Sequence, residues 1–422
     1  MTETFSIKKF LSDSAIYTLS NIVNKAIPFL LLPFIVSTIS VTQYGQYSLF
    51  ITLEMLLLPF ISMNLHGALE VHFFDKIELN LKTYISGLVA LETTALVVFF
   101  LILLVLPGGI SQIAGVDRGL LFFTIFSAFC SSIVQIVYSH LRVQKKSYYY
   151  GILLSLQSFV LFGSLLISVS INPSINFLVY ARAFTSLVFL FFSIYYFIKN
   201  DFITLKIDFS SIKKALKFSL PSIPHTLSAF IFVASDRFQI EHFLGSKQVG
   251  LFSAVIQISS VISVLGASFG IAWSPWLFEQ LRKEDLSVNR RVVKLSYLLM
   301  IACIIASIIF VIAIPYVGRW FLPTTYHSSF YLIKYFAFGY TFQCLYFIVV
   351  PYLYISQKTS RLSLNSFIAA VISVVVNFIF LSKYGLVVAG IANAISWMVL
   401  FLITFIMSSK MYKMPWRIWE KV

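Results

Sequence analysis

The sequence predicts an all-α polytopic membrane protein of about twelve transmembrane helices, built as two halves of like design. Three observations carry this. Hydrophobic residues make up 59% of the 422 residues and charged residues 11%, where a soluble domain has roughly 45–50% and about 25%. Such an excess of apolar surface cannot be hidden in one soluble core, so lipid must solvate it. Twelve apolar runs are long enough to cross a bilayer, which takes about 20 residues each. And one stretch of the chain occurs twice.

The repeat pairs residues 8–50, which open on Lys8 and Lys9, with residues 213–255, which open on Lys213 and Lys214. At a constant offset of 205, and without a gap, Gln43 falls on Gln248, Gly45 on Gly250, Tyr47 on Phe252 and Ser48 on Ser253. Each copy has a basic start, a long apolar run, a polar break with Gly, then a second apolar run. A shorter echo joins Ala181–Ser186 to Ala392–Trp397. Self-similarity on this scale is the mark of a duplicated design.

The predicted spans are 14–39, 44–71, 83–106, 119–141, 149–171, 175–198, 219–244, 249–277, 292–315, 327–356, 361–381 and 386–409. Turn residues punctuate them: Pro107, Gly108 and Gly109; Asn172, Pro173 and Ser174; Gly245 and Ser246; and Ser382 to Gly385. The first run is too long for a signal-peptide core and reads as an uncleaved membrane helix. The expected domains are an N-terminal lobe over 1–200, a cytoplasmic linker over 201–218 and a C-terminal lobe over 219–422. The linker interleaves Lys with apolar residues, the pattern of an interfacial amphipathic helix.

A net charge of +15 invites a nucleic-acid reading, and its distribution removes it. With the N-terminus placed in the cytoplasm, 23 Lys and Arg fall in cytoplasmic stretches and 4 (Arg118, Lys247, Arg319 and Lys383) on the other side. This bias places both termini inside. The basic loops then face anionic lipid head groups, and nucleic acid is not needed as a partner. Trp273, Trp276, Trp320, Trp416 and Trp419 lie near expected helix ends or in the tail, as membrane-interface residues do, and Trp397 lies inside a span. Cys130, Cys303 and Cys344 sit in apolar runs without metal-ligand spacing and read as structural thiols. No metal and no cofactor is expected.

Charges inside spans are the candidate functional residues, because each costs about 2.5–3.5 kcal/mol at mid-bilayer. The cations are Lys25, Arg182, Arg237 and Lys334; the acids are Glu54, Glu92 and Asp236. Arg182, Arg237 and Lys334 each lie seven residues from the outer end of their expected spans, about 10 Å deep at 1.5 Å per residue. Lys25 is near the middle of the first. Together they suit a cationic chamber for a polyanion such as a diphosphate. Glu54, Glu92 and Asp236 read as ion-coupling groups or counter-ions. The plainer readings stay open: an Arg237–Glu241 pair at i, i+4, an interhelical partner for Asp236, and snorkelling of Arg182 and Lys334. Prolines within spans (Pro28, Pro33, Pro59, Pro221, Pro224, Pro275, Pro351) and Gly266 and Gly270 are candidate kinks.

Tyr17, Asn24, Pro28, Pro33, Tyr44 and Gly45 resemble the opening of the Wzx-type O-antigen flippases. Those belong to the polysaccharide transporter family of the MOP (multidrug/oligosaccharidyl-lipid/polysaccharide) exporter superfamily. Ser235, Asp236 and Arg237, then Leu244 and Gly245, then Val249 to Ser253, resemble their seventh helix, and Trp273 to Trp276 their eighth. The resemblance implies two pseudo-symmetric six-helix lobes, MATE-like, around a central cavity, working by alternating access. It implies an undecaprenyl-diphosphate-linked oligosaccharide as cargo, moved from the cytoplasmic to the periplasmic leaflet of the inner membrane, with a polysaccharide polymerase and chain-length regulator as possible partners. Lys25 and Arg237 are the positions it carries over as substrate contacts. The alternative is a MATE-like ion-coupled small-molecule or drug antiporter, which would need exposed acids. An enzyme such as a polymerase or ligase would need a large external loop, and the external loops here are short, so no catalytic residue is expected.

Overall fold

The computed structural model describes residues 7–74, 80–105, 117–282, 285–355, 359–411 and 414–416. The turn at Pro107, Gly108 and Gly109, and the basic residues Lys76, Lys283, Lys358, Lys413, Arg417 and Lys421, lie outside them, as does Trp419. All regular structure among the described residues is helical. The helices are α1 (Ile7–Thr38), α2 (Val41–Ser62), α3 (Leu65–His72), α4 (Leu81–Val105), α5 (Arg118–Val143), α6 (Ser147–Ile171), α7 (Ile175–Lys199) and α8 (Phe209–Ser219). They continue with α9 (Ile223–Ala234), α10 (Asp236–Leu244), α11 (Ser246–Leu281), α12 (Leu286–Phe321), α13 (Thr324–His327), α14 (Ile333–Ile355), α15 (Thr359–Tyr384) and α16 (Val387–Met411). Eleven helices among the described residues are long and apolar enough to cross a membrane, and the segment over α8 to α10, bent by 51° at Ser235, makes up to twelve. The protein is a multi-pass membrane protein.

The backbone explains the breaks. Ser40 caps α2 by a reciprocal box with Gln43, satisfying two backbone N–H groups that the helix start leaves unpaired. Its repeat partner is Gly245, at φ +82°, which closes α10 by bonding Ile240 and Glu241 carbonyls and opens α11. Only a residue without a Cβ takes that conformation cheaply. The expected second span, 44–71, is in fact two helices: Met63 and Asn64 take left-handed conformations, at φ 45° and 52°, and interrupt it.

Two compact units divide at Phe230 and Ile231. The start of the seventh span is tied into the first unit, where Asn64 Nδ2 donates to Ser222 Oγ and Thr226 Oγ1, both at 2.9 Å. The linker does form an amphipathic helix, α8. Its inner face of Ile212, Ala215 and Ser219 is buried against α3 and α4, so that face docks on protein rather than lipid. A Cβ at Gly87 of α4 would stand 2.8 Å from Ile212 Cδ1, so the glycine permits the close approach. Upstream, Lys82 bonds Asp201 at 2.6 Å and Ser86 Oγ donates to the Phe202 carbonyl at 2.8 Å.

Within each unit the same helix pairs meet. In the first unit α1 packs on α6, α2 on α4 and α5, α4 on α5, and α7 on α5 and α6. In the second, α10 packs on α15, α11 on α12 and α14, α12 on α14, and α16 on α14 and α15. The fourth span of each half is its centre, with 72% of the most apolar stretch buried in both α5 and α14. The third span of each half is the most exposed, 17% buried in α4 and 11% in α12. The duplication read from the sequence is thus a duplication of packing.

The core of the second unit corrects the expectation for three tryptophans. Trp273 is buried and its indole donates to the Ile348 carbonyl at 3.0 Å. Trp276 and Trp416 pack on the same cluster. Trp320, at the end of α12, is exposed as an interface residue would be. Cys130 and Cys344 are buried free thiols and Cys303 is half-buried. Gly266 lies where a Cβ would collide with Cys344 Sγ, so α11 reaches α14 through a glycine.

Candidate functional site: the intramembrane charges

In the first unit two of the expected residues meet each other. Arg182, on α7, donates from Nε to Glu54 Oε2, on α2, at 2.6 Å. Glu54 is buried and takes a second bond from Ser131 Oγ of α5 at 3.2 Å. The Tyr47 hydroxyl faces the same pair electrostatically. Three helices therefore converge on one neutralised pair. A carboxylate with a guanidinium and a hydroxyl partner is stable in an apolar setting, where either charge alone is not.

Glu92, on α4, is fully buried and accepts from Ser132 Oγ of α5 at 2.7 Å. Its other oxygen has no hydrogen-bond partner among the described residues. Lys25 differs from all of these. It lies on α1 in the transmembrane stretch Leu19–Thr38, is exposed, and has no ion-pair or hydrogen-bond partner among the described residues. The preceding Asn24 is engaged by Ser158 of α6 at 2.7 Å, which fixes the backbone from which Lys25 projects.

In the second unit Asp236 and Arg237 stand side by side at the bend between α9 and α10. Arg237 Nη1 donates to Asp236 Oδ1 at 3.3 Å, and its guanidinium lies 5.8 Å from the centre of the Phe252 ring, within reach of a cation–π contact. Both side chains are largely buried. Glu241, weighed as the i, i+4 partner of Arg237, accepts from Ser246 at 2.8 Å. Lys334 is exposed in the first turn of α14, with Nζ 5.0 Å from the Tyr335 ring centre. It sits nearer the helix end than its expected depth, because α14 begins at Ile333 after a tight turn over Phe330–Leu332.

Sequence reasoning passed over several polar partners. Gln239 bonds Asn377 at 3.2 Å and the Val374 carbonyl at 3.0 Å, tying α10 to α15. Glu70 takes Arg142 Nε at 2.9 Å and Ser139 Oγ at 2.8 Å. Tyr47 carried a signal, since it pairs with Phe252 in the repeat and adds a hydroxyl. No group of three His, Cys, Asp or Glu among the described residues is placed to hold a metal.

A family model described as polysaccharide biosynthesis protein matches residues 10–281. The Lsg locus putative protein 1 of Haemophilus influenzae is 26% identical over 414 residues, 96% of this chain and 99% of that protein. An uncharacterized membrane protein of the same organism is 24% identical over 375 residues, 86% of this chain and 88% of that protein. Among solved structures, the inward closed conformation of the lipid II flippase MurJ superposes with TM-score 0.71 at 16% identity, covering 95% of this chain and 87% of that one. An inward-facing multidrug resistance MATE family transporter of the MOP superfamily gives 0.64 at 14% identity, covering 94% and 96%. The structural likenesses bear on the fold, and the family match bears out the resemblance to polysaccharide transporters. The chain belongs to the polysaccharide biosynthesis protein family and has the fold of the MOP superfamily.

Proposed function

We propose that the protein is a flippase that carries an undecaprenyl-diphosphate-linked oligosaccharide, an O-antigen or related repeat unit, across the bacterial inner membrane by alternating access. The observation that carries this reading is Lys25: a cation within a span, exposed and without an acid partner among the described residues. An ammonium there must meet water or an anion, since hydrocarbon around it costs about 2.5–3.5 kcal/mol. A diphosphate head group is such an anion. The task makes and breaks no bond. The protein lowers the cost of moving a hydrated anionic head group while the polyprenyl tail stays in lipid.

Arg237 is the second head-group contact in this proposal. Arg182 acts less directly, because Glu54 already neutralises it. Lys334 meets the head group near the membrane surface. The 23-to-4 distribution of basic residues supports cytoplasmic termini and outward delivery. With the inside negative, the potential favours outward movement of an anion by about 2.3 kcal/mol per charge per 100 mV. A polymerase and a chain-length regulator would be the consumers of the product.

The second reading, a MATE-like antiporter for organic cations, draws on the MATE-like fold. It needs carboxylates open to the cargo. Glu54 is held by Arg182, Asp236 by Arg237, and Glu92 is fully buried. That disposition weighs against it.

The test is complementation in a strain deleted for its own O-antigen flippase, with wild type, Lys25→Ala and Arg237→Ala at matched expression. The expected outcome is surface polysaccharide restored by wild type and lost, at least tenfold, in both variants. Rescue by both variants would overturn the site assignment. Failure of well-expressed wild type with several different repeat units would turn the reading towards the antiporter.

A further inference from the structure

The start of α12 holds a cationic cleft that the transport reading does not use. A cavity of about 390 Å³ is lined by Leu286, Ser287, Arg290, Arg291 and Lys294. The spacing places them together, since positions i, i+3, i+4 and i+7 share one helix face. All three basic side chains are exposed and have no hydrogen-bond partner among the described residues. Among the described residues the acid that feels this cluster is Asp285, whose carboxylate accepts from the Ser287 backbone N–H at 2.7 Å. Among them, three neighbouring cations therefore outweigh one acid.

What lies below the cleft identifies the ligand. At 36 residues, α12 is about 54 Å long, against a hydrocarbon layer of about 30 Å, so one end reaches the head-group region while the rest faces acyl chains. From Arg290 and Lys294 the same stripe continues through Leu298, Ile301, Ile305, Ile308 and Ile312, at steps of three and four. Each of these five is more than half exposed. A free phosphate would use the cations and leave the stripe without purpose. A cytosolic acidic partner would not reach down it. The counterpart in the first unit, α4, is also lipid-exposed, but its leading cation Lys82 is already bonded to Asp201 at 2.6 Å.

We propose that α12 carries a binding site for one anionic phospholipid, its phosphate held by Arg290, Arg291 and Lys294 and its acyl chains laid along Leu298 to Ile312. The cations supply charge-assisted hydrogen bonds to the phosphate oxygens, and the stripe supplies the apolar seat that distinguishes a lipid from its head group. The site does not depend on what the protein transports.

The full-length protein in neutral detergent is titrated with phosphatidylglycerol, with phosphatidylcholine and with inorganic phosphate, and retained ligand is read by native mass spectrometry. Phosphatidylglycerol should be retained, and Arg290→Gln/Arg291→Gln/Lys294→Gln should weaken it by on the order of a hundredfold, about 1 kcal/mol for each cation. Ile301→Ser/Ile305→Ser should weaken it without touching the cations, and Lys213→Gln/Lys214→Gln should leave it unchanged. Arg290→Lys, which keeps the charge, should retain most of the binding and guards against a folding defect. Equal retention of phosphatidylcholine, displacement of the lipid by inorganic phosphate, or wild-type binding by the triple variant would each overturn the proposal.

Discussion

The two halves of this protein share their packing and differ in how they hold charge. In the first half Glu54 and Arg182 form a bonded pair across α2 and α7, with Tyr47 beside it. The repeat places Ser259, Asn393 and Phe252 at the corresponding positions of the second half, and none of the three is charged. Charge in the second half comes instead from Asp236 and Arg237, adjacent in sequence at a helix bend. The pair in the first half joins residues 128 apart and so fastens one helix to another. The pair in the second half joins neighbours in sequence, with the Arg237 guanidinium also lying over the Phe252 ring of α11. The comparison teaches that a duplicated scaffold leaves one half braced by its ion pair and the other with its ion pair at a bend.

The largest expected effect tests the brace. Glu54→Ala strands Arg182 in a mostly buried setting, and should lower stability by about 3 kcal/mol, read as a fall in the thermal unfolding midpoint in detergent. Adding Arg182→Ala should recover part of that loss, since the stranded charge goes with it. If the double variant were no better than the single one, the brace would be no brace.

A smaller effect is expected in the second half. Asp236→Asn keeps an oxygen that can accept from Arg237 but removes the charge beside a largely buried guanidinium, and should cost about 1 kcal/mol, because the hydrogen bond can persist and only its charge assistance is lost. A cost equal to that of Glu54→Ala would erase the contrast.

The smallest concerns the linker. Asp208 caps α8, and hydrogen bonds from the Ser211 and Ser210 side chains hold its carboxyl at about 2, below the unfolded value of about 3.9. A depressed folded value adds stability above the unfolded value, and that stability is lost as pH falls through the folded one. Amide protection over residues 209–219 should therefore fall as pH drops from about 5 towards 3. Asp208→Asn should flatten that dependence, and an unaltered slope would count against the cap.

The membrane spans were legible because lipid imposes long apolar runs, and the halves because the repeat needs no gap. The breaks were legible only in part. Met63 and Asn64 interrupt a run that hydropathy reads as continuous, and the signal for it was the tolerance of Asn for a left-handed backbone. Ser235 bends the seventh span where Pro221 and Pro224 had drawn attention, while α2 runs on through Pro59 and α11 through Pro275. Candidate charges could be named from the chain, but not their partners. Glu54 and Arg182 are brought together by the packing of α2 and α7, and nothing local in either segment announces it. Arg237 shows the opposite failure. Local spacing suggested Glu241, whereas the Arg237 guanidinium donates to the adjacent Asp236 and Glu241 accepts from Ser246.

Trp416 has a bearing on how the protein is made. Its ring packs on Tyr297, Tyr352 and Phe405, and its carbonyl accepts from the Tyr297 hydroxyl at 3.0 Å. The second unit cannot finish its core until that residue has left the ribosome. The first unit closes at Phe230, roughly 190 residues earlier, which at 5–20 residues per second is about 10–40 s. Over that interval α12, whose Tyr297 packs on Trp416, is made before the residue that completes its packing exists.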